Sequence, residues 1–158
     1  MNRTRTPTRA FDDEGYPVNP FDEVLPGLVQ GDTTFDPRQM FRLGFDALYD
    51  LCGWDRGDGL DGLPYTFHLI DDVPWIADEG AVHELGVRVA SHLRDGERVA
   101  VNCAAGLNRS GLIVGRALIE LGHTPAEAIG MVRAARGPWA LSNVAFTRFL
   151  LFECRAIM

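Results

Sequence analysis

The chain contains no lysine: all fifteen of its basic residues are arginine, which removes Schiff-base and lysine general-base chemistry from consideration. Cysteine is scarce as well. Cys52, Cys103 and Cys154 are an odd number at wide spacing without a CxxC pair, which argues against a disulfide framework and against a zinc site. A reducing cytoplasmic setting with no cofactor and no metal is the expectation. There is no run of about eighteen apolar residues and no apolar stretch near the start, so neither a membrane span nor a secretory signal is expected. A surplus of positive charge is missing too. The formal net charge of −7 argues against nucleic acid or an anionic membrane as a general partner, because both demand a clustered basic face.

At 158 residues the chain is long enough for one domain with a real core. Residues 1–20 are polar and Pro-containing without periodicity and read as a mobile or loosely docked arm, leaving residues 21–158 as the domain. Val24 to Gln30 reads as a short strand, or a strand pair broken at Pro26-Gly27. Asp36-Pro37 starts a short helix through about Leu43, with Asp36 as cap. Strands follow over 45–51 and 65–70, separated by a Gly- and Asp-rich loop. A long helix is expected over 78–94, ended by Asp95-Gly96, and a strand lies within 97–102. Residues 111–121 are apolar on nearly every side, as in a buried helix. Thr124-Pro125-Ala126-Glu127 is a capping box launching a helix to about Ala135, and Ser142 reads as the cap of a last helix. The alternation implies an α/β fold: a mixed, mostly parallel sheet of about four to five strands flanked by helices, with the loops after Leu51, Ile70 and Asn102 meeting at one end.

The segment between the 97–102 strand and the 111–121 helix carries the chemistry. Cys103-Ala104-Ala105-Gly106-Leu107-Asn108-Arg109-Ser110 places a Cys, five residues, an Arg and a Ser in a strand-to-helix loop. Such a loop aims successive backbone N–H groups at one point, and the N-terminal end of the helix behind it adds positive potential, so phosphate is attracted there. Residues Ala104 to Arg109 are the expected phosphate cradle. Gly106 permits the turn, and the planar fork of Arg109 matches two phosphate oxygens. The same field favours the thiolate of Cys103, the nucleophilic form, and Ser110 can donate a hydrogen bond to that sulfur. The plain alternative for Cys103 is a buried free cysteine.

These residues resemble the signature loop of the cysteine-based protein tyrosine and dual-specificity phosphatases, HCxxGxxR followed by Ser or Thr. "VLPGLVQGD", "FHLIDDVPW" and "VRAARGPWALSNVAF" are similar to further segments of that family in the same order, so the resemblance spans residues 24–153. It implies the dual-specificity phosphatase fold and a metal-independent phosphomonoesterase working through a phosphocysteine. The implied substrate is a protein bearing phosphotyrosine or phosphoserine/phosphothreonine. It also implies an Asp on a loop as general acid. Asp71 is selected by matching Pro74 to the family's D-x-x-P, with Asp72 as the fallback, and a solvated turn pair is the plain alternative. Asn102 stands where the family has His, and its amide is expected to hydrogen-bond nearby backbone, with activity weakened rather than abolished. Arg136 either contacts substrate or holds the loop, and an exposed helix-end charge is the plain alternative. Asn143 is expected to make structural hydrogen bonds behind the loop. Cys52 resembles the redox partner found in the phosphatase-and-tensin branch, and reads equally as a core thiol. Two alternatives stand beside the enzyme: a phosphate-binding pseudophosphatase, suggested by Asn102, and an RNA 5′-triphosphatase-like phosphatase, suggested by Gly106 to Arg109.

Overall fold

The structure, a computed structural model, describes residues 10–60 and 62–156. Strands β1 (Phe21–Leu25) and β2 (Leu28–Gly31) form an antiparallel hairpin turned at Pro26-Gly27, where Gly27 takes a φ of +89°. Helix α1 (Pro37–Arg42) starts at Asp36, whose carboxylate accepts the Gln39 N–H while the Gln39 side chain accepts the Asp36 N–H. Strands β3 (Ala47–Asp50) and β4 (Tyr65–Phe67) flank the Gly- and Asp-rich loop. The expected strand over 65–70 ends early, at Phe67. Even so, the N–H groups of His68 and Ile70 still donate to the carbonyls of Asp50 and Leu51, so the chain follows β3 until Asp71.

Helix α2 (Glu79–Arg94), capped by Asp78, leads to β5 (Val99–Asn102). Helices α3 (Arg109–Glu120), α4 (Pro125–Arg136) and α5 (Val144–Glu153) complete the chain. The last cap is Asn143, not Ser142: the Asn143 side chain accepts the Phe146 N–H.

The five strands lie in the order β1-β2-β5-β3-β4, all parallel except β1. Register aligns Gly31, Asn102 and Asp50 in one row, so the C-terminal ends of β2, β5 and β3 come level. Leu28, Tyr49, Val99 and Val101 face the large core against α2, α3, α4 and α5, whereas Val29, Leu48 and Ala100 face a smaller cluster with Met40 and Phe45. Helix α3 lies at the centre of the large core, with Leu112, Ile113, Val114 and Leu118 wholly enclosed. Each such side chain contributes about 1.5 to 3 kcal/mol by leaving water, which fixes the helix that carries the signature loop. No helix among the described residues is long and apolar enough to cross a membrane.

Residues 1–9 of the expected arm lie outside the described residues. Residues 11–20 are tied down: Phe11 and Pro17 form a β-bridge, Trp139 Nε1 donates to the Glu14 carbonyl at 2.7 Å, and the Asn19 carbonyl accepts from Arg136.

Candidate active site

Cys103 is the first residue beyond β5 in the middle of the sheet, only 2% exposed. Its N–H donates to the Gly31 carbonyl, extending the parallel ladder by one rung and fixing the sulfur at the sheet edge. Cys103 Sγ donates to Ser110 Oγ at 3.2 Å, the reverse of the expected direction, and Ser110 is fully buried on the first turn of α3. Gly106 adopts a φ of +66°. A Cβ there would meet the Gly31 carbonyl carbon at 2.6 Å, so this position requires glycine on two counts.

The loop's carbonyls are drawn back into the protein. Arg136, wholly buried, donates Nε to the Gly106 carbonyl at 3.0 Å and Nη2 to the Ala105 carbonyl at 3.2 Å. Its Nη1 binds the Asn19 carbonyl and Asp22 Oδ2, both at 2.8 Å. Gln30 Nε2 donates to the Gly106 carbonyl at 3.1 Å, and the Leu141 N–H donates to that of Leu107. A peptide whose carbonyl points inward presents its N–H outward, so these donors shape the amide bowl. Arg136 is thus no exposed helix-end charge: it holds the loop by its carbonyls. Gln30 was not anticipated, although a polar residue inside the apolar run Val24 to Gln30 is the signal that marks it. Helix α3 opens at Asn108 without any side-chain cap, which leaves its first N–H groups available to a ligand.

Arg109 is partly exposed at the opening of α3, with Nη1 3.5 Å from the Ile70 carbonyl. It shares a cleft of about 400 Å³ with Ala104, Cys52, Gly53, Trp54, Arg56 and Thr33. Trp54 is 74% exposed and lines this cleft. The loops after β3, β4 and β5 therefore do converge. Arg56, from the Gly- and Asp-rich loop, is bound to the buried Asp50 carboxylate through Nε and Nη2 at 3.0–3.2 Å, and the Tyr65 hydroxyl donates to the same carboxylate at 2.8 Å. Burial pushes the Asp50 carboxyl up from its usual range, against the pull of Tyr65 and Arg56, and burial takes the Tyr65 phenol up to about 12.

The two candidate acids occupy different surroundings. Asp71 lines a small cleft with His68, Trp75, Ile76 and Val82. Asp72 faces the signature loop instead: Asn108 Nδ2 donates to its Oδ2 at 3.1 Å and Asn143 Nδ2 to its Oδ1 at 2.8 Å. Asn143 also donates to the Val73 carbonyl at 2.9 Å. The hydrogen bonds of Asn143 are structural: it caps α5, donates its N–H to Asn108 of the loop and grips the segment that carries Asp72.

Asn102 is buried at 1% exposure, and neither its Nδ2 nor its Oδ1 has a hydrogen-bond partner among the described residues, contrary to the expected backbone contact. The reason is its row: Gly31 beside it offers no side chain, and Asp50 is already occupied by Arg56 and Tyr65. Cys52 is half-buried and unbonded at the cleft. Burial pushes its thiol up from the usual value, Arg109 pulls it down, and Cys103 adds a smaller upward push.

No protein-family model and no curated protein matches the chain. Solved structures do. Human DUSP28 superposes with a TM-score of 0.73 at 22% identity, covering 86% of this chain and 93% of its own. Tk-PTP in its active form gives a TM-score of 0.68 at 21% identity over 83% of this chain and 93% of that one. The human tyrosine phosphatase-like serine/threonine/tyrosine-interacting protein gives 0.65 at 20%, over 82% and 92%. Together with the order of strands around the Cys103 loop, these likenesses establish that the chain has the fold of the dual-specificity and tyrosine phosphatases.

Proposed function

We propose that the chain is a cysteine-dependent, metal-independent phosphomonoesterase acting on phosphorylated proteins. The observation that carries the reading is the loop itself: Cys103 beside Ser110 at the base of a turn whose carbonyls Arg136 and Gln30 hold inward, with Arg109 at its rim. The Cys103 thiolate attacks phosphorus, and the bond from phosphorus to the ester oxygen breaks. The leaving oxygen takes a proton from Asp72, the sequence's fallback, because its carboxyl rather than that of Asp71 is turned to the loop. Water then attacks the phosphocysteine, giving a proton to the Asp72 carboxylate, and the S–P bond breaks to return the thiolate and free phosphate. Arg109 and the bowl amides bind the phosphoryl oxygens as charge shifts among them. Trp54 on the cleft supports an aromatic leaving group such as the phenol of phosphotyrosine.

Hydrolysis of p-nitrophenyl phosphate tests the proposal. It is expected to persist in chelator, to be blocked by vanadate and to vanish in Cys103→Ser; a wild-type rate equal to that of Cys103→Ser excludes the enzyme.

One observation favours a second reading, a phosphate-binding protein with little turnover. Asn102 stands where the resemblance places His and has no partner for either amide atom among the described residues, and one neighbour in fold is itself named phosphatase-like. Tight phosphopeptide binding by the wild type with negligible phosphate release decides for it.

A further inference from the structure

Besides the Arg109 contact with the Ile70 carbonyl, the signature loop is fastened to the Asp72 segment through the side chain of Asn108. Asn108 stands immediately before Arg109, so its own main chain belongs to the amide bowl, yet its amide turns away from helix capping. Its Nδ2 donates to Asp72 Oδ2 at 3.1 Å and lies 3.3 Å from Ser142 Oγ. Its Oδ1 accepts the Asn143 N–H at 2.9 Å and the Ser142 hydroxyl at 3.4 Å. An amide is suited to this place because it donates and accepts at one end without charge. Asn143 completes the ring through its own bonds to Asp72 and Val73. The segment around Asp72 is otherwise exposed, held by no helix or strand of its own.

On the phosphatase reading above, we propose that Asn108 is a positioning residue: it couples the phosphate bowl to the proton donor by holding Asp72 at the mouth of the site. The consequence is chemical. A leaving group that departs readily as an anion gains little from a placed acid, whereas a poor one depends on it. Loss of Asn108 therefore damages turnover in proportion to the basicity of the leaving oxygen, while anion binding by the bowl is kept.

The test compares p-nitrophenyl phosphate with phenyl phosphate in wild type, Asn108→Ala and Asn108→Asp, alongside vanadate inhibition and amide hydrogen exchange of residues 70–76. In Asn108→Ala, kcat for phenyl phosphate is expected to fall on the order of tenfold or more, with a much smaller loss for the nitrophenyl ester. Vanadate inhibition is expected to be unchanged and exchange at residues 70–76 faster. Asn108→Asp is the sharper variant. It keeps the acceptor for Asn143 and Ser142 but loses the donor to Asp72, so a loss that grows with the basicity of the leaving oxygen is expected from it as well.

Equal losses on the two esters in either variant, or vanadate inhibition weakened in step with kcat, overturns the coupling. Unchanged exchange at residues 70–76 overturns the fastening. If the wild type hydrolyses neither ester, the phosphatase reading fails and takes the catalytic coupling with it. Exchange then decides whether Asn108 holds the Asp72 segment.

Discussion

A buried polar group left without a partner costs about 1 to 3 kcal/mol, and Asn102 carries two such atoms at the end of β5. Asn102→Leu, the same in branching and heavy-atom count and without those groups, is expected to leave the urea midpoint unchanged or raised; a fall would show that the amide is hydrogen-bonded or the site too tight for methyl groups. Gly106 is the opposite case, a residue whose smallness the backbone needs. In Gly106→Ala the added carbon would press on the Gly31 carbonyl at a φ of +66°. The carbonyl-inward turn cannot then be kept, and vanadate binding and turnover are expected to fall together while Cys103 remains in place. Undiminished vanadate binding in that variant would show that the bowl tolerates a Cβ.

Among the elements, the parallel pairing of β3 with β5 matters most for redox chemistry. Asp50 is level with Asn102, and the Leu51 N–H donates to the Asn102 carbonyl, so Cys52 and Cys103 leave neighbouring strand ends separated by about 4.8 Å. Under peroxide a Cys52 to Cys103 disulfide is expected, formed when the Cys52 thiolate displaces hydroxide from a Cys103 sulfenic acid. The raised Cys52 thiol makes that step slow at neutral pH and faster as pH rises toward its titration, since the attacking form is the thiolate. Peptide mass spectrometry that finds only over-oxidised Cys103, with Cys52 free, removes the proposal. The elements themselves were largely legible. The capping signatures at Asp36 and Thr124 are local and state their helix starts outright, and α3 could be read because a helix apolar on nearly all sides has to be enclosed. The start of α5 was misplaced by one residue because Ser142 and Asn143 are both good caps, and only the tertiary position of Asn143 selects between them.

For the molecule as a whole, acid sensitivity is expected to centre on the far side of α3 from the site. There Arg116, fully buried, pairs with Glu120 at 3.0 Å and donates Nε to His83 Nδ1 at 3.0 Å. Burial, and then the Arg116 charge, lower the His83 pKa below its ordinary 6.5. The unfolded chain therefore takes up a proton near that value while the folded chain refuses it until lower pH. Stability contributed by neutral His83 is present above 6.5 and is lost as pH falls below it. Urea midpoints measured between about pH 7.5 and 5.5 are expected to fall less steeply in His83→Gln, which still accepts from Arg116 without titrating. Parallel slopes in the two proteins would show that His83 is not the group responsible.

The sequence by itself determined the α/β alternation, the turn of the Cys103 loop and the identity of its Cys, Gly and Arg, because strand, glycine and helix dipole act over a few neighbouring residues. Which carboxylate faces that loop, what Arg136 and Asn143 hold, that Gln30 takes part, and that Asn102 has no partner among the described residues were decided only by tertiary structure. Each of these depends on which side chains meet across strands and loops far apart in the chain, and a hydrogen bond distinguishes Asp71 from its neighbour Asp72 by a few ångströms and a direction that no local spacing encodes.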